Sequence, residues 1–487
     1  MRASSLLAFA LLITASACTP EDAAPEGPPN ILFLFSDDQR PDAMGAYGNP
    51  DVQTPVLDSL AAVAFNFREA HIMGAHHGAV CAPSRAMLMS GRSLFRVYDN
   101  LDTVRTMPQW FREQGYVTFG TGKWHQSRSS FERSFTEGEH IFFGGMGDHD
   151  ATTMQDLLPD RTYTDPDSLG FSTTRFADAA VAFLERQTPS TAPFFAYVSF
   201  TAPHDPRTPP PGYAERYDAA TLTLPPNVAP EHPFAHIPTI DIRDEVLGAW
   251  PRTPELLREQ YAEYYGLITH MDEQIGRILH TLRAQGLADN TIVVFASDHG
   301  LGMGSHGLLG KQNLYEHSMG TPLLLAGPGI TAGESDALVY LYDLFPTLTQ
   351  QATGGKAYTD SEGIDLSGIM AGKQDTVRTW LFTAYTDQIR AIRDARWKLI
   401  RYPELHHNQL FDLQNDPDER NDLAAEAIHH ERVADMMARL GRWQAYFGDP
   451  HPLTTEQPRA MEVDYQQVRR TPDRHQPQWV VDKYFQP

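Results

Sequence analysis

Four short apolar runs, each ending on a polar cluster, constrain the fold of this chain more than any other feature. Ile31-Leu32-Phe33-Leu34-Phe35 runs into Ser36-Asp37-Asp38, and Tyr116-Val117-Thr118-Phe119 runs into Gly122-Lys123-Trp124-His125. Phe194 to Phe200 leads to Pro203-His204-Asp205, and Thr291 to Phe295 leads to Ser297-Asp298-His299-Gly300. Runs without a polar side suit strands covered on both faces, as in a largely parallel sheet. Helical patterns lie between them, over 54–63, 107–114, 171–187 and 255–285, with Gly115 and Gly286 as stops. The alternation predicts a three-layer α/β/α sandwich around a large mixed, mostly parallel sheet. Such sheets bind ligands beyond the carboxyl ends of their strands, so the four charged ends are expected to meet at one site.

Beyond about residue 375 the pattern changes to short alternating runs over 380–385, 389–393, 397–402 and 409–413. These predict a smaller antiparallel sheet, followed by a helix over about 424–446 and a Pro-rich tail. The expected organisation is a catalytic domain over 30–375, a C-terminal subdomain over 376–450 and a tail over 451–487. Ahead of these, Arg2 and the apolar run from Leu6 to Ile13 form an export signal, too short to span a bilayer as a mature helix. Ala15-Ser16-Ala17-Cys18 predicts a lipoprotein cleavage site, with Cys18 lipidated and 19–29 a Pro- and acid-rich tether. The expected location is the periplasm or cell surface, with a lipid anchor as the one membrane contact. A soluble exported protein is the alternative.

The net charge of −23 opposes binding to nucleic acid and to anionic lipid. An anionic substrate therefore needs a local cluster of cations, and the run ends supply Lys123, His125 and His204. Cys18 and Cys81 are the only cysteines. With Cys18 lipidated, Cys81 stands alone in an oxidising compartment, as an inert buried thiol or as a functional group.

Cys81-Ala82-Pro83-Ser84-Arg85 is followed by Ser90-Gly91-Arg92. Pro83 suits the first turn of a helix, which puts residue 81 at a positive helix end where anions are stabilised. Arg85, one turn on, can reach back as a bidentate donor to an oxyanion. Read structurally, the same residues are a helix start over a buried thiol. The spacing resembles the signature of the formylglycine-dependent (type I) sulfatases of the alkaline phosphatase superfamily, in which this Cys becomes formylglycine. Ser90 stands where Thr is more usual and keeps the hydroxyl. Asp37-Asp38 and Asp298-His299 resemble that family's metal ligands, completed by residue 81. Such a carboxylate-rich set suits one hard divalent cation such as calcium. Lys123 and His125 in Gly-Thr-Gly-Lys-Trp-His, His204 in Thr-Ala-Pro-His, and Lys311 in Gly-Leu-Leu-Gly-Lys resemble further family motifs. Phe411-Asp412-Leu413, Asp416-Pro417-Asp418-Glu419 and Asn421-Asp422-Leu423 resemble its C-terminal signature, with a structural role expected. The resemblance runs from Asn30 to Leu423 and is strongest to exported bacterial carbohydrate sulfatases.

The resemblance implies hydrolysis of sulfate esters. One hydroxyl of hydrated formylglycine at position 81 attacks sulfur. His204, with Lys311, protonates the leaving alcohol. His125 then takes a proton so that sulfate leaves a sulfated enzyme. Arg85, Lys123, Lys311 and the cation balance the charge on the sulfuryl oxygens. Maturation needs a formylglycine-generating enzyme as partner. Export and the tether favour a sulfated polysaccharide or oligosaccharide as substrate, with His76, His77, Arg96, His149, Arg207 and His406 as candidate sugar contacts. One alternative is a two-zinc phosphodiesterase or phosphonate monoester hydrolase of the same superfamily, with Ser or Thr as nucleophile. The other is a catalytically dead sugar-binding lipoprotein, which would have lost Cys81, Arg85 or Lys123.

Overall fold

The computed structural model describes residues 27–487 apart from 235–239, 241, 356–357, 463, 466–467, 469, 473–475, 477 and 486–487. The export signal, the Cys18 lipidation site and most of the tether lie outside the described residues. Among the described residues no helix is long and apolar enough to cross a membrane.

All four apolar runs form strands: Asn30–Ser36, Val117–Lys123, Phe194–Ser199 and Thr291–Ser297. They are parallel neighbours in a nine-stranded sheet, in the order Thr291–Ser297, Asn30–Ser36, Phe194–Ser199, Val117–Lys123. Antiparallel pairings occur only towards the two edges, where Leu323–Ala326 meets Thr291–Ser297 and Gln155–Leu157 meets Glu137–Phe142. Ile31, Phe33 and Phe35 enter one hydrophobic core, while Leu32 and Leu34 enter the other. Both faces are thus covered, which is why the runs carry no polar alternation. Helices Pro55–Val63, Ser172–Glu185 and Pro254–Ala284 pack on the Leu32 side, and Cys81–Ser90 and Met107–Glu113 pack on the other. The longest of them starts where Thr253 accepts the Leu256 N–H and Pro254 opens the first turn.

Parallel register puts the four strand ends at one level: Ser36 pairs with Ser297, and Ser199 with both Phe35 and Gly122. Gly122 is required there, because its φ is +87° and a Cβ would lie 1.8 Å from the Ser199 carbonyl oxygen. Pairing with the next strand slips between Thr121 and Gly122, a local irregularity of the kind that re-aims the side chain that follows, here Lys123.

Leu381–Tyr385, Ile389–Arg393, Trp397–Tyr402 and His407–Asp412 form the expected antiparallel meander. Two features differ from expectation. A fifth strand, Gly74–Ala75, joins this sheet in parallel from just upstream of Cys81, and two residues carry no periodic signal. The helix expected from about 424 begins at His430. Asp422 Oδ1 accepts the N–H groups of Leu410 (3.0 Å) and Ala424 (2.9 Å), holding that stretch against the sheet instead. The C-terminal signature ties this sheet to the segment 306–316. Glu419, buried with φ +54°, accepts the Glu316 N–H at 2.7 Å and pairs with Lys398 at 2.7 Å. Its carbonyl meets His306 Nε2 at 2.9 Å, five residues before Lys311.

Candidate active site

Cys81 opens the helix Cys81–Ser90, all ten residues of which are buried. Ser84 Oγ donates to the Asp298 carbonyl at 2.6 Å, and Arg85 Nε donates to Asp298 Oδ2 at 3.0 Å. Arg85 Nη1 donates to the Lys123 carbonyl (2.9 Å) and to Ser199 Oγ (2.6 Å), so one guanidinium ties three strand ends together. This corrects the bidentate grip expected of Arg85. Nη2 alone is left without a hydrogen-bond partner, 3.6 Å from Asp37 Oδ1.

Lys311 and His204 meet on one side of the thiol. Lys311 Nζ donates to both oxygens of Asp38 at 2.8 Å and to His204 Nε2 at 3.0 Å, and lies 3.3 Å from Cys81 Sγ. His204 Nδ1 faces the Asp205 carbonyl at 2.6 Å and Asp205 Oδ1 at 3.2 Å. That end holds its proton, which leaves Nε2 to exchange one. Lys123 Nζ donates to Asp37 Oδ2 at 2.6 Å. His125, at φ +63°, lines the same cavity as Cys81. Gly145 makes room for its ring, since a Cβ at 145 would lie 2.5 Å from His125 Nε2. Asp38 and His125 both hold left-handed backbone without being glycine, a strain that clusters at functional sites.

Electrostatics follows from this packing. Burial opposes ionisation of the Cys81 thiol, but Lys123, Lys311 and His299 outweigh it and hold the thiol well below its ordinary range. Burial pushes His125 down to about 4 against the opposing influence of Cys81, so its imidazole is neutral at neutral pH. Burial likewise disfavours a charge on His299, but Asp298 and Asp38 push it up to about 9.

A cation fits among these carboxylates. Asp37 Oδ1 and His299 Nε2 are buried with no hydrogen-bond partner. His299 Nδ1 donates to the Gly300 carbonyl at 2.8 Å, which leaves the Nε2 lone pair free to ligate. Donor atoms of Asp37, Asp38, Cys81 and His204 lie within 4.8 Å of one another, as do those of Cys81, Asp298 and His299. A bound cation would supply the positive charge that His299 otherwise takes up as a proton. Oxygen donors with one imidazole suit a hard divalent ion.

The sulfatase family profile matches residues 29–354, which is most of the chain. The chain belongs to the sulfatase family. A second profile, N-sulphoglucosamine sulphohydrolase, C-terminal, matches residues 304–445 of this sulfatase. The iduronate 2-sulfatase of Homo sapiens is 30% identical over 70% of this chain and 68% of its own. The N-acetylglucosamine-6-O-sulfatase of Bacteroides thetaiotaomicron is 25% identical over 92% of this chain and 91% of its own. Among solved structures, BT4656 in complex with its substrate D-glucosamine-2-N,6-O-disulfate superposes with a TM-score of 0.72 at 22% identity, covering 88% of this chain and all of that one. The phosphonate monoester hydrolase of Agrobacterium radiobacter shares the fold too, with a TM-score of 0.70 at 21% identity over 86% and 96%.

The sulfatase is a sulfuric ester hydrolase, and its Cys81 opens onto a cavity of about 580 Å³ lined also by His125, His204 and Lys311. Of the candidate sugar contacts, His76 and His77 are exposed beside the lining residue Gly78, with His77 paired to Asp99 at 2.5 Å. The other four are placed elsewhere, and each has a structural reason. Arg96 pairs with Glu362 and donates to the Tyr446 carbonyl, joining the last long helix to the core. His149 is buried behind His204, with Nε2 at 3.0 Å from the His204 carbonyl. Arg207 is buried and donates to Gln260 at 2.9 Å. His406 lies at a turn of the C-terminal sheet, where it accepts the Thr455 N–H at 3.1 Å. A larger cavity, about 1130 Å³, lies between residues 331–338 and 369–379, away from these groups.

Sequence reasoning missed the outer lining: Gly145, Met146, Ile242, Arg243, Asp244 and Gln312. Gln312 was within reach as the neighbour of Lys311. Arg243 and Asp244 sit in a connecting stretch with neither periodicity nor motif, so nothing marked them.

Proposed function

We propose that this sulfatase removes sulfate from a sulfated carbohydrate, using formylglycine made from Cys81 and a calcium ion held by Asp37, Asp38, residue 81, Asp298 and His299. One observation carries the reading. Residue 81 lies at a helix N-terminus and lines a cavity with His125, His204 and Lys311, whose Nζ lies 3.3 Å from the Cys81 sulfur and 3.0 Å from His204 Nε2. The relatives named above support sugars as the substrate class.

As its hydrate, formylglycine supplies a hydroxyl for attack on sulfur. When bound, calcium draws charge from the sulfuryl oxygens. The remaining work falls to side chains described here. Lys123, Lys311 and the free Arg85 Nη2 face the incoming anion with positive charge. Lys311 Nζ and His204 Nε2, which share a proton across 3.0 Å, together hand one to the leaving alcohol oxygen, while Asp205 fixes the far side of the His204 ring. His125, neutral at neutral pH, accepts a proton from residue 81. Cys18 lipidation, with export to the periplasm or cell surface, remains part of this proposal.

Protein made together with a formylglycine-generating enzyme is expected to hydrolyse nitrophenyl sulfate and sulfated oligosaccharides. A chelator should abolish this turnover and calcium should restore it. Two tightly bound zinc ions per chain, with phosphonate esters turned over and sulfate esters left intact, would point to the phosphonate hydrolase reading instead.

A further inference from the structure

Beyond the four reactive groups, the described wall of the catalytic cavity carries a carboxylate. Asp244 lines the cavity together with Arg243 and Gln312. Its Oδ1 accepts from Arg243 Nε at 2.8 Å and Nη2 at 2.5 Å, and its Oδ2 accepts from Gln312 Nε2 at 2.9 Å. Arg243 Nη2 also donates to Asp205 Oδ1 at 2.9 Å, and Nη1 points at Met146 Sδ. The guanidinium therefore spends its donors on two carboxylates and a thioether and offers little to a further anion. Gln312 is committed at both ends, since its Oε1 accepts the Lys311 N–H at 2.9 Å. Arg243, Asp205 and Asp244 together sum to one negative charge. The cavity thus carries the Lys311 cation beside Cys81 and, around Asp244, a cluster of Arg243, Asp205 and Asp244 that is net negative and rich in acceptors.

We propose that Asp244, held by Arg243 and Gln312, is a specificity-determining residue that selects a sugar ring whose only anionic group in the cavity is the sulfate being removed. The inference rests on the sulfatase reading and names its substrate class: an uncharged, hydroxyl-bearing ring. A ring hydroxyl donates to the one lone pair of Asp244 Oδ2 that Gln312 leaves open, whereas a second sulfate or a ring carboxylate meets a like charge in a half-enclosed site. Burial opposes the charge of Asp244, but Arg243 and Lys311 outweigh burial and keep the carboxyl ionised across the working pH range.

The test uses the formylglycine-bearing, calcium-loaded enzyme and pairs of sugar sulfates. Each pair matches a monosulfated neutral hexose with the same ring bearing a second sulfate or a carboxylate at C6. Wild type is expected to favour the neutral member by about tenfold or more in kcat/KM, a preference that shrinks with salt only partly because the cavity is half-enclosed. Asp244→Asn is expected to narrow that ratio severalfold by improving the doubly anionic member relative to the neutral one. A wild-type ratio of one or below, failure of both members to react or compete with nitrophenyl sulfate, or an unchanged ratio in Asp244→Asn overturns the proposal. Should Asp244→Asn not fold, the wild-type ratio alone decides. Absence of nitrophenyl sulfate turnover in wild type is a separate result, and sinks the sulfatase chemistry rather than the wall.

Discussion

Cys81→Ala is expected to lose activity by on the order of 10⁴–10⁶-fold while keeping its fold, because it removes the nucleophile and little else. Sγ is a small, buried group at the edge of the cavity, and its loss costs about 1 kcal/mol of packing. Lys311 keeps its bonds to both Asp38 oxygens and to His204. The helix Cys81–Ser90 stays fastened through Ser84 and Arg85 to Asp298. Circular dichroism and thermal unfolding should therefore match wild type closely, and steady-state turnover of nitrophenyl sulfate should vanish. Activity retained within tenfold would place the nucleophile elsewhere.

His204→Ala and His125→Ala are expected to fail differently, each by about 10²–10⁴-fold on a sugar sulfate. His204 Nε2 sits with Lys311 Nζ at 3.0 Å on the side from which a leaving oxygen can be protonated. A sugar alkoxide needs that proton and nitrophenolate does not, so His204→Ala should lose far more on the sugar substrate. His125 lines the cavity together with residue 81. Without His125, the alcohol should still depart once and turnover should then stall. Single-turnover kinetics should show a burst near one equivalent of alcohol for His125→Ala, and no burst on sugar sulfate for His204→Ala. Equal losses on both substrates, with no burst from either variant, would remove these assignments.

The strand ends were legible because parallel strands buried on both faces leave uninterrupted apolar runs, and each run stops where the backbone leaves the sheet. Asp37, Lys123, His204 and Asp298 could be placed together on that ground alone. The roles of Ser84 and Arg85 were less legible. Their spacing marked a helix start, but only the tertiary structure shows that they fasten it to Asp298. His149 and Arg207 misled for the opposite reason. Polar side chains near a motif look available, yet both are buried and spent on the His204 carbonyl and on Gln260. Asp244 and Gly74–Ala75 gave no signal, because a two-residue strand and a connecting stretch have no period to detect.

Peptide mass spectrometry of the active protein at position 81 tests the central claim most directly. The expected result is a peptide in which the thiol is replaced by an aldehyde, in a fraction that tracks specific activity from one preparation to the next. Full activity from protein whose residue 81 is entirely unmodified cysteine would contradict it.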